Sequence, residues 1–259
     1  MSGPSKQRKP KIRRPPELAK GPMTTRKRVG ILLFPSVEVL DFAGPFEVFS
    51  VTRLDDDKRR DEASPFETVL VAEEPGMVIA TGGLRVVPNY TLDNCPPLDI
   101  LLVPGGWGVR SEIENKVLMY WVAERGRDAE IVAGVCTGSM LLGKAGLLNG
   151  HTATTHWKSL DWMRQSFPGV TVVDDLHVVE DGEVVTSAGI SAGIDLALRV
   201  VALYHGEDVA RSTARHMEYR YPDDNRRRID VSEGRRLGDG RWWNRLLELV
   251  RRRRGVGKS

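Results

Sequence analysis

Residues 131–148 read IVAGVCTGSMLLGKAGLL, and the order of their parts decides the fold. A short apolar run delivers Cys136, the small residues Thr137, Gly138 and Ser139 turn the chain, and Met140 to Leu148 has helix-forming composition. A buried strand that ends on a nucleophile and turns sharply into a helix is the elbow unit of an α/β domain. Backbone N–H groups converge at such a turn, and the helix dipole favours negative charge there. That setting predicts a lowered thiol pKa and a reactive thiolate. Position alone leaves a second reading open, in which Cys136 is a small buried core residue.

The chain on either side repeats the alternation of strand and helix. VGILLF (29–34), FETVLVA (66–72) and DILLV (99–103) are short apolar runs of the kind buried in a parallel sheet. Residues 77–87, with Gly82-Gly83 at the turn, read as a hairpin. Short strands are expected within 151–155, 170–173, 177–179 and 183–186. Helices are expected over 112–125, 159–167, 190–204 and 207–219. In the second of the two segments flanking the PGG loop, Ile113, Val117, Tyr120 and Trp121 share a face, with Met119 near it. Gly44-Pro45 is expected to open the first helix, with proline in its first turn and Asp41 at the loop-to-helix junction. The whole predicts an α/β fold with a mainly parallel sheet flanked by helices. Sites in such sheets form at the carboxyl ends of the strands.

Composition bounds the rest. Of 259 residues 41% are hydrophobic and two are cysteine, which gives no disulfide framework and predicts a reducing, cytoplasmic setting. No apolar run reaches bilayer-spanning length, and the basic N-terminal stretch has no apolar segment before a cleavage site. Residues 1–28 carry a net +9 and residues 225–259 a net +8, leaving −14 for the middle. An acidic body with basic ends does not match a specific nucleic-acid-binding domain. Residues 1–28 are expected to be a disordered tail. Met23 is a second candidate translation start, which the intact mass of the native protein would decide. Residues 29–222 are expected to form the α/β domain, and 223–259 a basic extension. Within that extension RWWNRLLELVRRRR (241–254) reads as an amphipathic helix, docking on its own domain or a second copy, or on a partner or anionic membrane.

A thiolate attacking carbon needs a charge-stabilising hole, an acid/base and a dry pocket. The backbone N–H groups of Thr137 and Gly106 are candidates for the hole, and Gly105-Gly106 leaves room for substrate. Asp41 is the candidate acid/base, its pKa raised by burial beside sulfur.

The segments VGILLFPSVEVLDFAGPFEVF, DILLVPGG, VAGVCTGSMLLGKAGLLNGHTATTHW and TSAGISAGIDLAL resemble the PfpI/ThiJ superfamily of class I glutamine-amidotransferase-like proteins. They look most like its isonitrile hydratase branch, which is related to the ligand domains of GlxA-type regulators of the AraC family. The likeness covers about residues 29–219. It implies a flavodoxin-like fold, Cys136 as elbow nucleophile, and Asp41 as the acidic residue that hydrogen-bonds the cysteine. Thr137 stands where protease-like members have histidine, which disfavours a Cys-His protease and suits isonitrile hydration, with its hydroxyl on water or substrate nitrogen. Asp195 matches an acidic helix position that supports the site in some members, or is a helix residue paired at the surface. The resemblance implies a small-molecule substrate and a homodimer, and no metal or organic cofactor. The rival readings are a non-catalytic sensing domain without the helix-turn-helix, and a glyoxalase or deglycase activity.

Two residues keep two readings and two take one. His156 is near the site in many members, although a hydrogen-bonded structural histidine is the commoner case. Trp107 either caps an apolar pocket or packs at the surface. Ser139 reads as a helix cap. Cys95, beside Pro96-Pro97, reads as inert.

Overall fold

The structure, a computed structural model, describes residue 13 and residues 26–231. Apart from Arg13 and the inner ends, both basic tails lie outside the described residues, as does the stretch 241–254 expected to be helical. The chain begins with β1 (Lys27–Leu33), α1 (Val39–Val51) and β2 (Phe66–Ala72), then the hairpin β3 (Val78–Ile79) and β4 (Arg85–Val86). Next come β5 (Tyr90–Thr91), β6 (Ile100–Val103), α2 (Val109–Glu112), α3 (Lys116–Asp128), β7 (Ile131–Gly134) and α4 (Gly138–Lys144). β8 (Thr152–Ala153), α5 (Leu160–Ser166), β9 (Thr171–Val172), β10 (Val178–Asp181) and β11 (Val184–Ser187) lead to α6 (Ala192–His205) and α7 (Glu207–His216).

The main sheet has the order β10-β11-β7-β6-β1-β2-β5. Every neighbouring pair is parallel except β10 and β11. The runs GILL, ILLV and IVAG of β1, β6 and β7 are buried along their length, because helices cover the sheet on both faces. α1, α6 and α7 pack together in one group, α2, α3 and α4 in another. The chain leaves β1 towards β2 and returns on the other side of β1 as β6. The loops after β1 and β6 therefore part at a topological switch point, where open α/β sheets form their sites.

Four sequence expectations need correction. α1 begins at Val39 rather than at Gly44-Pro45, so Pro45 lies inside the helix. Burial of Asp41, Phe42, Gly44, Pro45, Val48 and Phe49 along it outweighs the local cost of proline. The helix expected over 112–125 is two, because the Asn115 side chain caps α3 by accepting from the Val117 and Leu118 N–H groups. Its buried face is Leu118, Trp121 and Val122, while Val117 and Tyr120 face solvent. The elbow helix stops at Lys144, since Gly146 turns left-handed at φ 81°. The α/β unit also runs past 222: the Asn225 side chain pairs with both backbone groups of Val178, and Arg227 N–H donates to the Asp175 carbonyl.

Candidate active site

Cys136 leaves β7 with φ at +56°, a left-handed conformation that a side chain adopts only at a cost of about 1–3 kcal/mol. Three hydrogen bonds hold it there. Its N–H donates to the Ala188 carbonyl at 3.0 Å. Its own carbonyl accepts from the Ser139 and Thr155 hydroxyls, both at 2.9 Å. Gly138 completes the turn, because a Cβ there would lie 2.0 Å from the Val103 carbonyl oxygen at the end of β6. Ser36 and Ile190 are left-handed as well. The Ser36 carbonyl accepts from Gly108 N–H in the loop after β6, and Ile190 lies in the loop after β11, so strained backbone gathers around one spot.

Asp41, in the first turn of α1, is fully buried. Its Oδ2 accepts the Gly105 N–H at 2.9 Å. No N–H or O–H of the described residues reaches Oδ1, and the Cys136 thiol interacts with the carboxyl. Burial pushes the Asp41 pKa up to about 8, helped by the Glu38 charge and opposed by the Gly105 N–H and the thiol. The Cys136 thiol is pushed far above its usual range, first by burial and then by the Asp41 charge. N–H groups of Ile190 and Thr137 hydrogen-bond the sulfur and oppose that rise without cancelling it. The expected lowering of the thiol pKa is thus reversed: the turn's N–H groups are outweighed by loss of water and by an acidic neighbour.

The glycine loop differs from expectation in one donor. Gly106 N–H is committed to the Thr137 hydroxyl at 3.0 Å, which leaves the Thr137 and Ile190 N–H groups as those directed at sulfur. Gly105 must be glycine, since a Cβ there would meet Thr137 Oγ1 at 2.5 Å and Asp41 Oδ2 at 2.9 Å. Asp41, Gly105, Gly106, Cys136 and Thr137 therefore meet as one cluster.

The other candidates sit around or behind it. His156 lies close against Gly189, where a Cβ would be 2.4 Å from the imidazole Cδ2, and its Nδ1 accepts the Lys158 N–H at 3.3 Å. Its pKa is pushed down to about 4 by burial and by the charges of Lys158, Arg227 and Arg110, so it is neutral at pH 7. Trp107 is 56% exposed, with the Arg110 guanidinium 4.4 Å from its ring centre. Asp195 has another position: Oδ2 bonds His177 Nε2 at 2.9 Å and accepts the Tyr219 hydroxyl at 3.0 Å. It connects to the elbow through backbone, as Ala188 N–H donates to the His177 carbonyl and the Ala188 carbonyl accepts from Cys136. Ser139 does not cap α4; its hydroxyl holds the Cys136 carbonyl. Cys95 is buried, its thiol pKa raised by burial. Sequence reading missed Ile190, Thr155 and Arg110. Ile190 and Thr155 act through a backbone N–H and a fold-brought hydroxyl, for which residue type gives no signal; Arg110 was one basic residue among many.

A model of the DJ-1/PfpI family matches residues 27–203. The isonitrile hydratase of Pseudomonas putida is 37% identical over 192 residues, 74% of this chain and 78% of that protein. The HTH-type transcriptional regulator CdhR of Pseudomonas aeruginosa is 31% identical over 179 residues, 69% of this chain and 51% of the regulator. The crystal structure of a THiJ/PfpI family protein from Pseudomonas syringae superposes with a TM-score of 0.68 at 29% identity, covering 85% of both chains.

Proposed function

We propose that this chain, which belongs to the DJ-1/PfpI family, is a cysteine-dependent hydratase that adds water to an isonitrile and releases an N-substituted formamide. One observation carries the reading: the buried Asp41–Cys136 pair, in which a carboxyl with an open oxygen faces the thiol of a strained elbow. The 37% identity to an isonitrile hydratase supports it, as does threonine at 137.

The reactive form of the pair holds one proton. Asp41 takes the thiol proton as sulfur attacks the terminal isonitrile carbon, then returns it to that carbon, leaving a thioimidate. The Thr137 and Ile190 N–H groups steady the charge on sulfur during attack and departure. Asp41, again a carboxylate, takes a proton from water as its oxygen adds to the thioimidate carbon, and passes that proton to nitrogen. Collapse of the adduct forms the formamide carbonyl, breaks the C–S bond and sends the hydroxyl proton back to sulfur. The new C–H thus comes from the thiol, and water supplies the N–H and the restored thiol proton. The Thr137 hydroxyl, fixed by Gly106 N–H, is set beside nitrogen or water. Gly105 leaves no side chain between Asp41 and Thr137, Trp107 and His156 wall the approach, and Asp195 positions the elbow from behind. The working unit is read as a homodimer, checked by light scattering.

The 31% identity to a transcriptional regulator favours one rival, a sensing domain that binds without chemistry. Incubation with cyclohexyl isocyanide, with mass detection of N-cyclohexylformamide, separates the two. Wild-type protein should form the product and Cys136→Ala should form none; full turnover by that variant would end this mechanism. A parallel incubation with methylglyoxal, read as lactate, tests the glyoxalase alternative.

A further inference from the structure

The turn between β10 and β11 lies at the strand starts, the far end of the sheet from Cys136, and it holds one residue of the basic N-terminal stretch. Arg13 is gripped there through three of its groups. Its N–H donates to Asp181 Oδ1 at 2.6 Å, and its carbonyl accepts the Gly182 N–H at 3.4 Å. Its guanidinium donates to the Gly150 carbonyl at 2.8 Å, and Nη1 lies 3.3 Å from His151 Nε2. His151 Nδ1 stands 3.0 Å from the Asp181 carbonyl, which can only accept, so in the neutral ring Nδ1 carries the proton and Nε2 offers Arg13 a lone pair. Asp181 is buried and its other oxygen is taken by the Thr152 N–H. Glu183 Oε1, 3.5 Å from His151 Nε2, adds a second negative charge. The arginine stem runs along the left-handed Gly182, its Cδ 3.9 Å from where a Cβ of that glycine would stand.

We propose that this corner is a docking site for an arginine-bearing segment, filled in cis by the chain's own N-terminal stretch around Arg13, KIRRP (11–15). It is independent of the chemistry at Cys136. The corner reads both backbone groups of one residue and two arms of its side chain, which suits the fixed fork of a guanidinium better than the point charge of an ammonium. Charge draws the two together, since residues 1–28 carry a net +9 and the middle of the chain −14. Reach fits the same chain. Arg26 is fixed beside the start of β1, donating to the Ser64 and Phe66 carbonyls. Asp181 stands at that same end of the sheet, across the order β1-β6-β7-β11-β10, about 19 Å away at the usual strand spacing. The stretch from Arg14 to Arg26 can cover up to about 43 Å. Docking in cis therefore has slack, and a short tether supplies an effective concentration of about a millimolar.

The test is limited digestion of the full chain by an arginine-specific protease, with initial rates of cutting after Arg13 and after Arg8 read by mass spectrometry. A docked Arg13 side chain cannot enter the protease. Relative to the Arg8 cut, the Arg13 cut should therefore be about tenfold slower than in a synthetic peptide of residues 1–22, the equilibrium weight of one charge-assisted hydrogen bond. The same ratio in protein and peptide overturns the proposal. Protection should survive dilution by about a hundredfold, because a contact in cis does not depend on concentration. Protection lost on dilution would give the corner to the tail of a second copy and overturn docking in cis. A second measurement leaves the folded body untouched. Arg13→Pro lacks both the N–H and the guanidinium, so the Gly182 amide should exchange with deuterium about tenfold faster than in the wild type, followed by NMR. Unchanged exchange at Gly182 in that variant also overturns the proposal.

Discussion

Two buried carboxyls stand at opposite ends of the sheet and are treated differently. Asp181 closes β10 beside the strand starts, 1% exposed, with Oδ1 accepting the Arg13 N–H and Oδ2 accepting the Thr152 N–H, each at 2.6 Å. Asp41 stands beyond the strand ends, fully buried, with the Gly105 N–H on Oδ2, no N–H or O–H of the described residues on Oδ1, and the Cys136 thiol against the carboxyl. A buried carboxylate with a donor on each oxygen is a structural clamp. One left short of donors gives up its proton reluctantly, and that proton is then available to a neighbour. Donor count, more than burial, separates the carboxyl proposed to move protons from the structural one.

The sharpest way to break that comparison is to blunt each acid in turn. Asp41→Asn should lower kcat/KM by about 10²–10⁴-fold, the usual weight of a general acid/base. The same change should raise thermal stability. The folded pKa of Asp41 lies near 8, above its unfolded value, so the wild type loses stability as pH rises from about 4 to 8 and the variant does not. The gap between the two proteins should therefore widen by up to about 1.4 kcal/mol per pH unit across that window, measured by denaturant melts at several pH values. A variant less stable than wild type at pH 8 would return Asp41 to the structural class.

The pH profile of the wild type comes next. Below the Asp41 pKa of about 8 the pair carries both protons, so kcat/KM should climb with pH by about tenfold per unit and level above about 8. A flat profile from pH 6 to 8 would contradict a working proton at this position. Asp181→Asn should do the reverse of Asp41→Asn. The amide cannot accept at both oxygens' places, so about 1–3 kcal/mol of stability should be lost, while the pH profile of turnover keeps its shape. The smallest effect is expected at the elbow. Thr155→Val removes one of two hydroxyls from the Cys136 carbonyl and should cost about 1 kcal/mol, read as a lower melting temperature with the Ser139 bond still in place.

Much of this was legible in the residues. The apolar runs of β1, β6 and β7 and the turn after Val135 fixed the parallel sheet and its elbow, because burial on both faces leaves an uninterrupted apolar signature. Gly105, Cys136 and Thr137 were readable because each follows closely on one of those strand ends, and Asp41 because it opens the helix after β1. The charge state of the pair was not readable. It depends on how completely α1, the loop after β6 and the elbow shut out water, which is a property of three segments far apart in sequence. Gly106 illustrates the same limit: its N–H looks available in the sequence, and only the close approach of the Thr137 hydroxyl commits it. The cap at Asn115 and the left turn at Gly146 are local and were open to sequence reading, but the apolar pattern continued through both and masked them.

The left-handed backbone of Cys136 has one more consequence, for how this chain responds to selection. Glycine takes φ +56° at no steric cost, so Cys136→Gly relaxes the elbow while deleting the sulfur. A random library of this protein sorted only for folding would enrich glycine at 136, and one sorted for turnover would expel it. The position thus records which pressure a population has been under: cysteine persists there only while something outside folding requires it.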